Sequence, residues 1–206
     1  MKIKEKRKMR ELMVDIETMG TNINAPIVQI GAVYFSMKTG ELGDEYLINI
    51  NLEDSIKHGA TPDGRTIYWW MSQGKEARES VMSANAFIET PFMYEEQGLA
   101  DFNEFWARAK RVWSHATFDF VRLIHSMERR EIQPTVHFRK ARDIRTLTGL
   151  AGITREQVEN QKVEREGVYH NGLDDAIYQV AYCHVAYTNL MKAGYNDGFA
   201  DGSQYE

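Results

Sequence analysis

Two carboxylates stand where a buried strand would carry apolar side chains. The run Glu11-Leu12-Met13-Val14-Asp15-Ile16-Glu17-Thr18 is otherwise apolar, and residues two apart on a strand point the same way. Leu12, Val14 and Ile16 therefore line one face, while Met13, Asp15 and Glu17 line the other. Held roughly 7 Å apart along the strand, the two acids repel each other and each is penalised by loss of water. A divalent cation between them removes both problems, because hard oxygen ligands suit Mg²⁺ or Mn²⁺. The alternative is the exposed end of an edge strand, where both acids face water. Taken alone, the pair favours that alternative.

Three further polar positions change the balance. Asp119 follows Phe118 in Ser114-His115-Ala116-Thr117-Phe118-Asp119-Phe120, where a fourth strand should hand over to a helix. Thr117 is the expected N-cap, which puts Asp119 in the first turn, a place where the helix dipole alone favours an acid. His170 and Asp175 occur in His170-Asn171-Gly172-Leu173-Asp174-Asp175-Ala176. Asn171 would cap a terminal helix, with His170 just outside it, and periodicity does not choose between Asp174 and Asp175. Each of these groups has an ordinary structural reading. Together, four carboxylates and a histidine at a strand, a strand–helix junction and a helix entry could meet at one end of a sheet.

The elements that must position them follow from the apolar pattern. After the first strand, Gly20–Pro26 is a turn, Ile27–Phe35 an apolar central strand and Tyr46–Ile50 a third strand beyond a turn at Thr39-Gly40-Glu41. A short helix is expected over Thr66–Met71, with residues 72–94 irregular. Leu99–Lys110 shows helical spacing, Arg111–His115 is a fourth strand, and Phe118–Met127 a helix with Phe118, Val121, Ile124 and Met127 inward. A fifth extended piece lies near Thr135–Arg139 and a short helix over Asp143–Leu150. The last long helix runs Gly172–Met191, with Leu173, Ile177, Val180, Ala181 and His184 as its inner stripe. Three strands in a meander, then alternating strand and helix, give an α/β fold with a mixed central sheet flanked by helices.

At 206 residues, the chain suits one domain over 11–193, with a basic leader at 1–10 and a polar, glycine-rich tail at 194–206. Apolar residues at 43% and charged residues at 27% are ordinary for a soluble protein. No apolar run approaches a membrane span, and a single cysteine, Cys183, excludes an internal disulfide or a cysteine zinc cluster. A cytoplasmic setting is expected. The net charge of −5 divides into +5 on residues 2–10 and −10 on the remainder. The leader could touch phosphates or be solvated. An acidic body is compatible with a catalyst that holds phosphate through metals rather than through a basic surface.

In their order and spacing these motifs resemble the DEDDh exonucleases, the DnaQ-like branch of the ribonuclease H-like superfamily. The family's Asp-x-Glu is matched by Asp15-Ile16-Glu17, its aromatic-plus-aspartate by Phe118-Asp119, and its His-x-x-x-x-Asp by His170 and Asp175. That last spacing selects Asp175 over Asp174. Within the family the chain is most similar to the branch of the exoribonuclease RNase AS and phage exodeoxyribonuclease A. Asp15-Ile-Glu-Thr-Met-Gly20, Trp69-Trp70 with Ala77-Arg78, and Arg142-Asp143-Ile144-Arg145-Thr146 carry this likeness. One departure is His115, where many relatives place Asn.

The resemblance implies a ribonuclease H-like fold and 3′→5′ hydrolysis of single-stranded RNA or DNA to nucleoside 5′-monophosphates. It implies two divalent cations, Mg²⁺ or Mn²⁺, one on Asp15, Glu17 and Asp175 and one mainly on Asp15 and Asp119, with His170 as general base. Thr18, Met19, His115 and Phe118 become candidate contacts to the terminal nucleotide. Trp69 and Trp70 become a platform for an unpaired base, a contact worth roughly 1–3 kcal/mol. Adjacent helical side chains diverge by about 100°, so one tryptophan is expected in the core and the other near substrate. Asp143 is expected to cap a helix or support the site from outside it. The helix carrying Phe105 and Trp106 would serve either the core or a homodimer. The rival readings are a ribonuclease H-like endonuclease and a nucleic-acid-binding module without catalysis.

Overall fold

A computed structural model of the chain describes residues 9–82, 93–153 and 165–194. The basic leader, apart from its last two residues, and the tail beyond 194 lie outside the described residues. Strands β1 (Glu11–Thr18), β2 (Ile27–Phe35), β3 (Leu42–Asn49), β4 (Arg111–Ser114) and β5 (Ala141–Asp143) form one sheet in the order β3-β2-β1-β4-β5. β1 pairs antiparallel with β2 and parallel with β4, and β4 pairs parallel with β5. Seven helices surround the sheet among the described residues. They are α1 (Leu52–Lys57), α2 (Gly64–Ser72), α3 (Lys75–Met82), α4 (Glu95–Trp106), α5 (Asp119–Arg129), α6 (Ile144–Leu150) and α7 (Gly172–Lys192). None of them is long and apolar enough to cross a membrane.

The two faces of β1 separate as its alternation demands. Leu12, Val14 and Ile16 pack with Leu99, Phe102 and Trp106 of α4 and Phe120, Leu123 and Met127 of α5. Burying each such side chain contributes about 1.5–3 kcal/mol. Met13 packs on the opposite face with Ile144 and Leu147 of α6 and Ala176, Val180 and Cys183 of α7. Asp15 and Glu17 follow Met13 on that second face, so the apolar half of the strand anchors the polar half. Trp106 and Phe102 are fully buried and Phe105 is partly buried against the same cluster, so this helix serves the core.

Several elements depart from the sequence reading. α3 forms where an irregular stretch was expected, because its buried side chains are only Ala77 and Val81, too few to mark a stripe. α1 lies between the third strand and the Thr66–Met71 helix, where no element was expected, and is capped by the Asn51 side chain. β3 begins at Leu42, directly after the turn at Gly40, whose φ of 73° suits glycine. Thr135 and Val136 are not a strand. Thr135 bonds Asn103 of α4 through both its amide and its hydroxyl, Val136 is buried, and β5 starts only after a 3₁₀ turn over Phe138–Lys140. On α5 the buried apolar residues are Phe120, Leu123 and Met127, while Val121 is exposed. On α7 the buried side is Ala176, Gln179, Val180, Cys183, Ala186, Tyr187 and Leu190, about one residue round from the expected stripe.

That rotation has a cause at the head of α7. A Cβ on Gly31 of β2 would lie 2.0 Å from the Gly172 carbonyl carbon, and one on Gly172 would lie 3.2 Å from the Asp15 carbonyl oxygen. Two glycines therefore let the helix start directly on the sheet beside Asp15, which pairs with Gly31. Small side chains, Ala176 and Cys183, continue the contact.

Candidate active site

The C-terminal end of β1 brings the polar positions together. One ligand atom each from Asp15, His115 and Asp119 lie within 4.8 Å of one another, and the same holds for Glu17, His170 and Asp175. Asp15 and Glu17, two apart on one strand, connect the two groups.

Asp119 reaches the site because it begins α5 next to the end of β4. Thr117 does not cap this helix. Phe118 occupies the cap position without a side-chain bond, and the Asp119 carboxylate instead accepts from the His115 amide at 2.7 Å. Phe118 lies under the Arg122 guanidinium, 3.7 Å from the ring centre, and Arg122 donates to the carbonyls of Phe118, Thr21 and Asn22. Asp175 reaches the site because Asn171 caps α7, its side chain accepting from Leu173 and Asp174. Asp174 turns away and accepts from the Val168 amide at 2.7 Å, so the two adjacent acids divide between turn and site. His170 precedes the cap with φ 62°, a left-handed conformation that costs energy in a non-glycine residue. Gln29 holds this turn from β2. Fully buried, it accepts from the Gly172 amide at 2.6 Å and donates to Asn49 and Ser80, and Ser80 in turn accepts from Asn171.

The charge at the site is poorly compensated by the protein. Burial, then the charges of Asp119, Glu17 and Asp175, hold the Asp15 carboxyl well above the usual range, against a hydrogen bond from Gln179. Burial, then Asp175 and Asp119, do the same to Glu17. Burial pushes Asp119 up to about 7 despite amide hydrogen bonds. Asp175 is raised by burial and eased by Arg165, which bonds its carboxylate. His115 is pushed down to about 4, by burial first and then by Arg145. It is therefore neutral at pH 7, and its 3.9 Å contact with Asp119 is not an ion pair. Buried carboxylates that raise one another, beside a neutral imidazole, are a donor set that fits hard divalent cations.

The remaining sequence candidates fall around this cluster. Trp70 is buried and donates to the Thr18 carbonyl at 3.0 Å. Trp69 is 41% exposed, and its ring meets the His170 ring edge-on at 4.8 Å. The Thr18 hydroxyl donates to the Gly20 carbonyl. Met19, a candidate contact to the terminal nucleotide, has its amide taken by the Pro26 carbonyl at 2.9 Å, and its side chain packs against the cluster of Val28, Trp70, Ala77 and Val81. Asp143 caps α6 through the Arg145 amide. Two neighbours of the carboxylates were not found from sequence. Gln179, which donates to Asp15 at 2.7 Å, lies one helical turn beyond Asp175, and that i,i+4 spacing was available as a signal. Arg165 carries no such signal.

Over residues 10–187 the chain matches the 3′-5′ exoribonuclease Rv2179c-like domain. It belongs to that family. It is thus a DEDDh-type 3′-5′ exonuclease domain, a class that implies dependence on divalent metal. No curated protein sequence matches it. Among solved structures, E. coli exonuclease I in complex with a dT13 oligonucleotide aligns at a TM-score of 0.63 and 13% identity, over 91% of this chain and 43% of that one. A moderately thermophilic exonuclease I from Methylocaldum szegediense aligns at 0.63 and 14%, over 90% and 42%. Exonuclease X in complex with 5′ overhanging duplex DNA aligns at 0.50 and 13%, over 90% and 94%. These likenesses establish a shared ribonuclease H-like fold. The chain spans less than half the length of the exonuclease I chains.

Proposed function

We propose that the chain removes nucleotides from the 3′ end of single-stranded nucleic acid, releasing nucleoside 5′-monophosphates. The family description names RNA, and the exonuclease I relative carries a DNA oligonucleotide. One observation carries the reading: a single strand delivers Asp15 to one three-residue ligand group and Glu17 to another. Asp15, Glu17 and Asp175 would hold one divalent cation, and Asp15 and Asp119 a second, with His115 offering a nitrogen beside them. Bound there, Mg²⁺ or Mn²⁺ would supply an activated water and charge stabilisation at the leaving oxygen.

The protein's own groups have separable roles. His170, whose Nδ1 lies 4.0 Å from Glu17, would take the proton of the attacking water at a ring nitrogen. The Gln29 network fixes the left-handed turn that aims His170, and the Trp69 edge limits its rotation. Gln179 orients Asp15. Trp69 and Phe118 present ring surface for the terminal nucleotide, and the Arg122 guanidinium over Phe118 keeps that ring in place.

Incubation of matched 5′-labelled RNA and DNA oligomers with Mg²⁺ or Mn²⁺ tests the proposal. A ladder shortening one nucleotide at a time from the 3′ end, with 5′-monophosphate products, is expected. Cleavage of a circular single strand would instead support the endonuclease reading.

A further inference from the structure

A phosphodiester joins two nucleotides, so a site that cleaves one has two sides. Between α6, α7 and residues 165–170 lies a cavity of about 470 Å³, a size typical of small-molecule sites at roughly 300–1,000 Å³. Asp15, His115, His170 and Asp175 form part of its wall. Thr18, Met19, Trp69, Trp70 and Phe118 do not line it. The cavity therefore extends from the carboxylates in a direction distinct from the candidate contacts to the terminal nucleotide.

Its further wall includes Arg145, Tyr178 and Tyr182, with Tyr169 near the rim and the Arg165 guanidinium over the Tyr169 ring, 3.8 Å from its centre, and 5.2 Å from that of Tyr178. Arg145 is exposed in the first turn of α6, and its guanidinium has no hydrogen-bond or ion-pair partner among the described residues. It nonetheless lies close enough to bear electrostatically on both His115 and Asp119. Tyr178 and Tyr182 meet edge to face with ring centres 5.6 Å apart. An unpaired guanidinium suits a phosphate oxygen, and tyrosine rings suit a sugar or base. A terminal nucleotide ends the chain and can be received against the ring surfaces of Trp69 and Phe118. The strand on the other side of the bond continues outward and needs an exit, and the cavity has one where Arg145 and Tyr169 are exposed.

We propose that this cavity binds the nucleotide on the 5′ side of the scissile bond, with Arg145 on its phosphate and Tyr178 and Tyr182 against its base or sugar. The assignment rests on the exonuclease reading above. Its test compares KM for a single-stranded tetranucleotide with the inhibition constant of the released nucleoside 5′-monophosphate, which fills only the terminal side. Shortening of the tetranucleotide by the unaltered protein secures the exonuclease reading independently, and its absence would count against that reading. Losing a charged hydrogen bond in Arg145→Ala should raise KM about tenfold. The product's inhibition constant should rise at least about fivefold less. Tyr182→Leu, which keeps the apolar volume near α6, should give the same split. A KM that does not rise, or an inhibition constant that rises in step with it, would overturn the assignment.

Discussion

Asp15, Asp119 and His115 stand on the sheet and at the head of α5, and no Lys or Arg among the described residues forms an ion pair with either acid. Glu17, His170 and Asp175 draw on the same strand, but two of the three come from the turn that opens α7, where His170 is left-handed and Arg165 bonds Asp175. In the first group the side chain of Asp119 is 3% exposed and that of His115 26%, against 11% for Glu17, 17% for Asp175 and 32% for His170 in the second. The two acids of the first group are thus fixed by the core, with no basic side chain among the described residues paired to them. The second is held by a strained turn and a resident arginine, and it can adjust. A nuclease benefits from this division, since the cleaved end must leave and the next must enter without disturbing the half built into the sheet.

The largest effect should come from the shared strand. Asp15→Ala removes the carboxylate assigned above to both proposed cations and should lower turnover by on the order of 10³-fold or more, in Mg²⁺ and Mn²⁺ alike. Residual turnover near that of the unaltered chain would dissolve the link between the groups. His170→Ala should lose about 10²–10⁴-fold in rate while still binding divalent cations in a calorimetric titration, which separates proton transfer from metal holding. Arg165→Ala should act in the opposite sense on binding. Freed of its charged bond, Asp175 should hold a divalent cation about tenfold more tightly, and unchanged affinity would mean that the arginine does not compete.

The smallest expected effect is on stability. The folded Asp119 carboxyl, at about 7, lies above its unfolded value, and Asp15 and Glu17 shift the same way. His115, held down at about 4, works the other way, but three raised carboxyls outweigh one histidine, so the folded protein holds more protons than the unfolded chain between about pH 4 and 7 and stability falls as pH rises through that window. Melting of the metal-free protein followed from pH 5 to 8 should show Tm decreasing. Added divalent cation should raise Tm most at the alkaline end. A Tm that climbs with pH in the absence of metal would contradict the charge assignment.

Much of the site was legible because its cues are local. Alternation along Glu11–Thr18 set the faces of β1, while the choice of Asp175 over Asp174 came from the motif of the family the chain resembles. Asp119 lies beside Asp15 and His115 by another route than the expected cap, since Thr117 leaves the helix to Phe118 and the carboxylate serves the His115 amide. What escaped was long-range. Gly31 and Gly172 admit α7 to the sheet, and that contact turns its buried side away from Leu173 and Ile177. Gln29, Arg145 and Arg165 meet the site from β2, α6 and the segment before α7, and no period in the sequence links them. α3 was missed for a simpler reason, the scarcity of apolar residues over 75–82.

The claim on which the account turns is that the acids at the end of β1 form a cation site and not a solvated patch. Electron paramagnetic resonance counts bound Mn²⁺ directly at neutral pH. Mn²⁺ should be bound by the unaltered chain and lost on Asp15→Asn, a change that removes one charge and keeps the side chain's shape. Equal Mn²⁺ binding by the two proteins would contradict it.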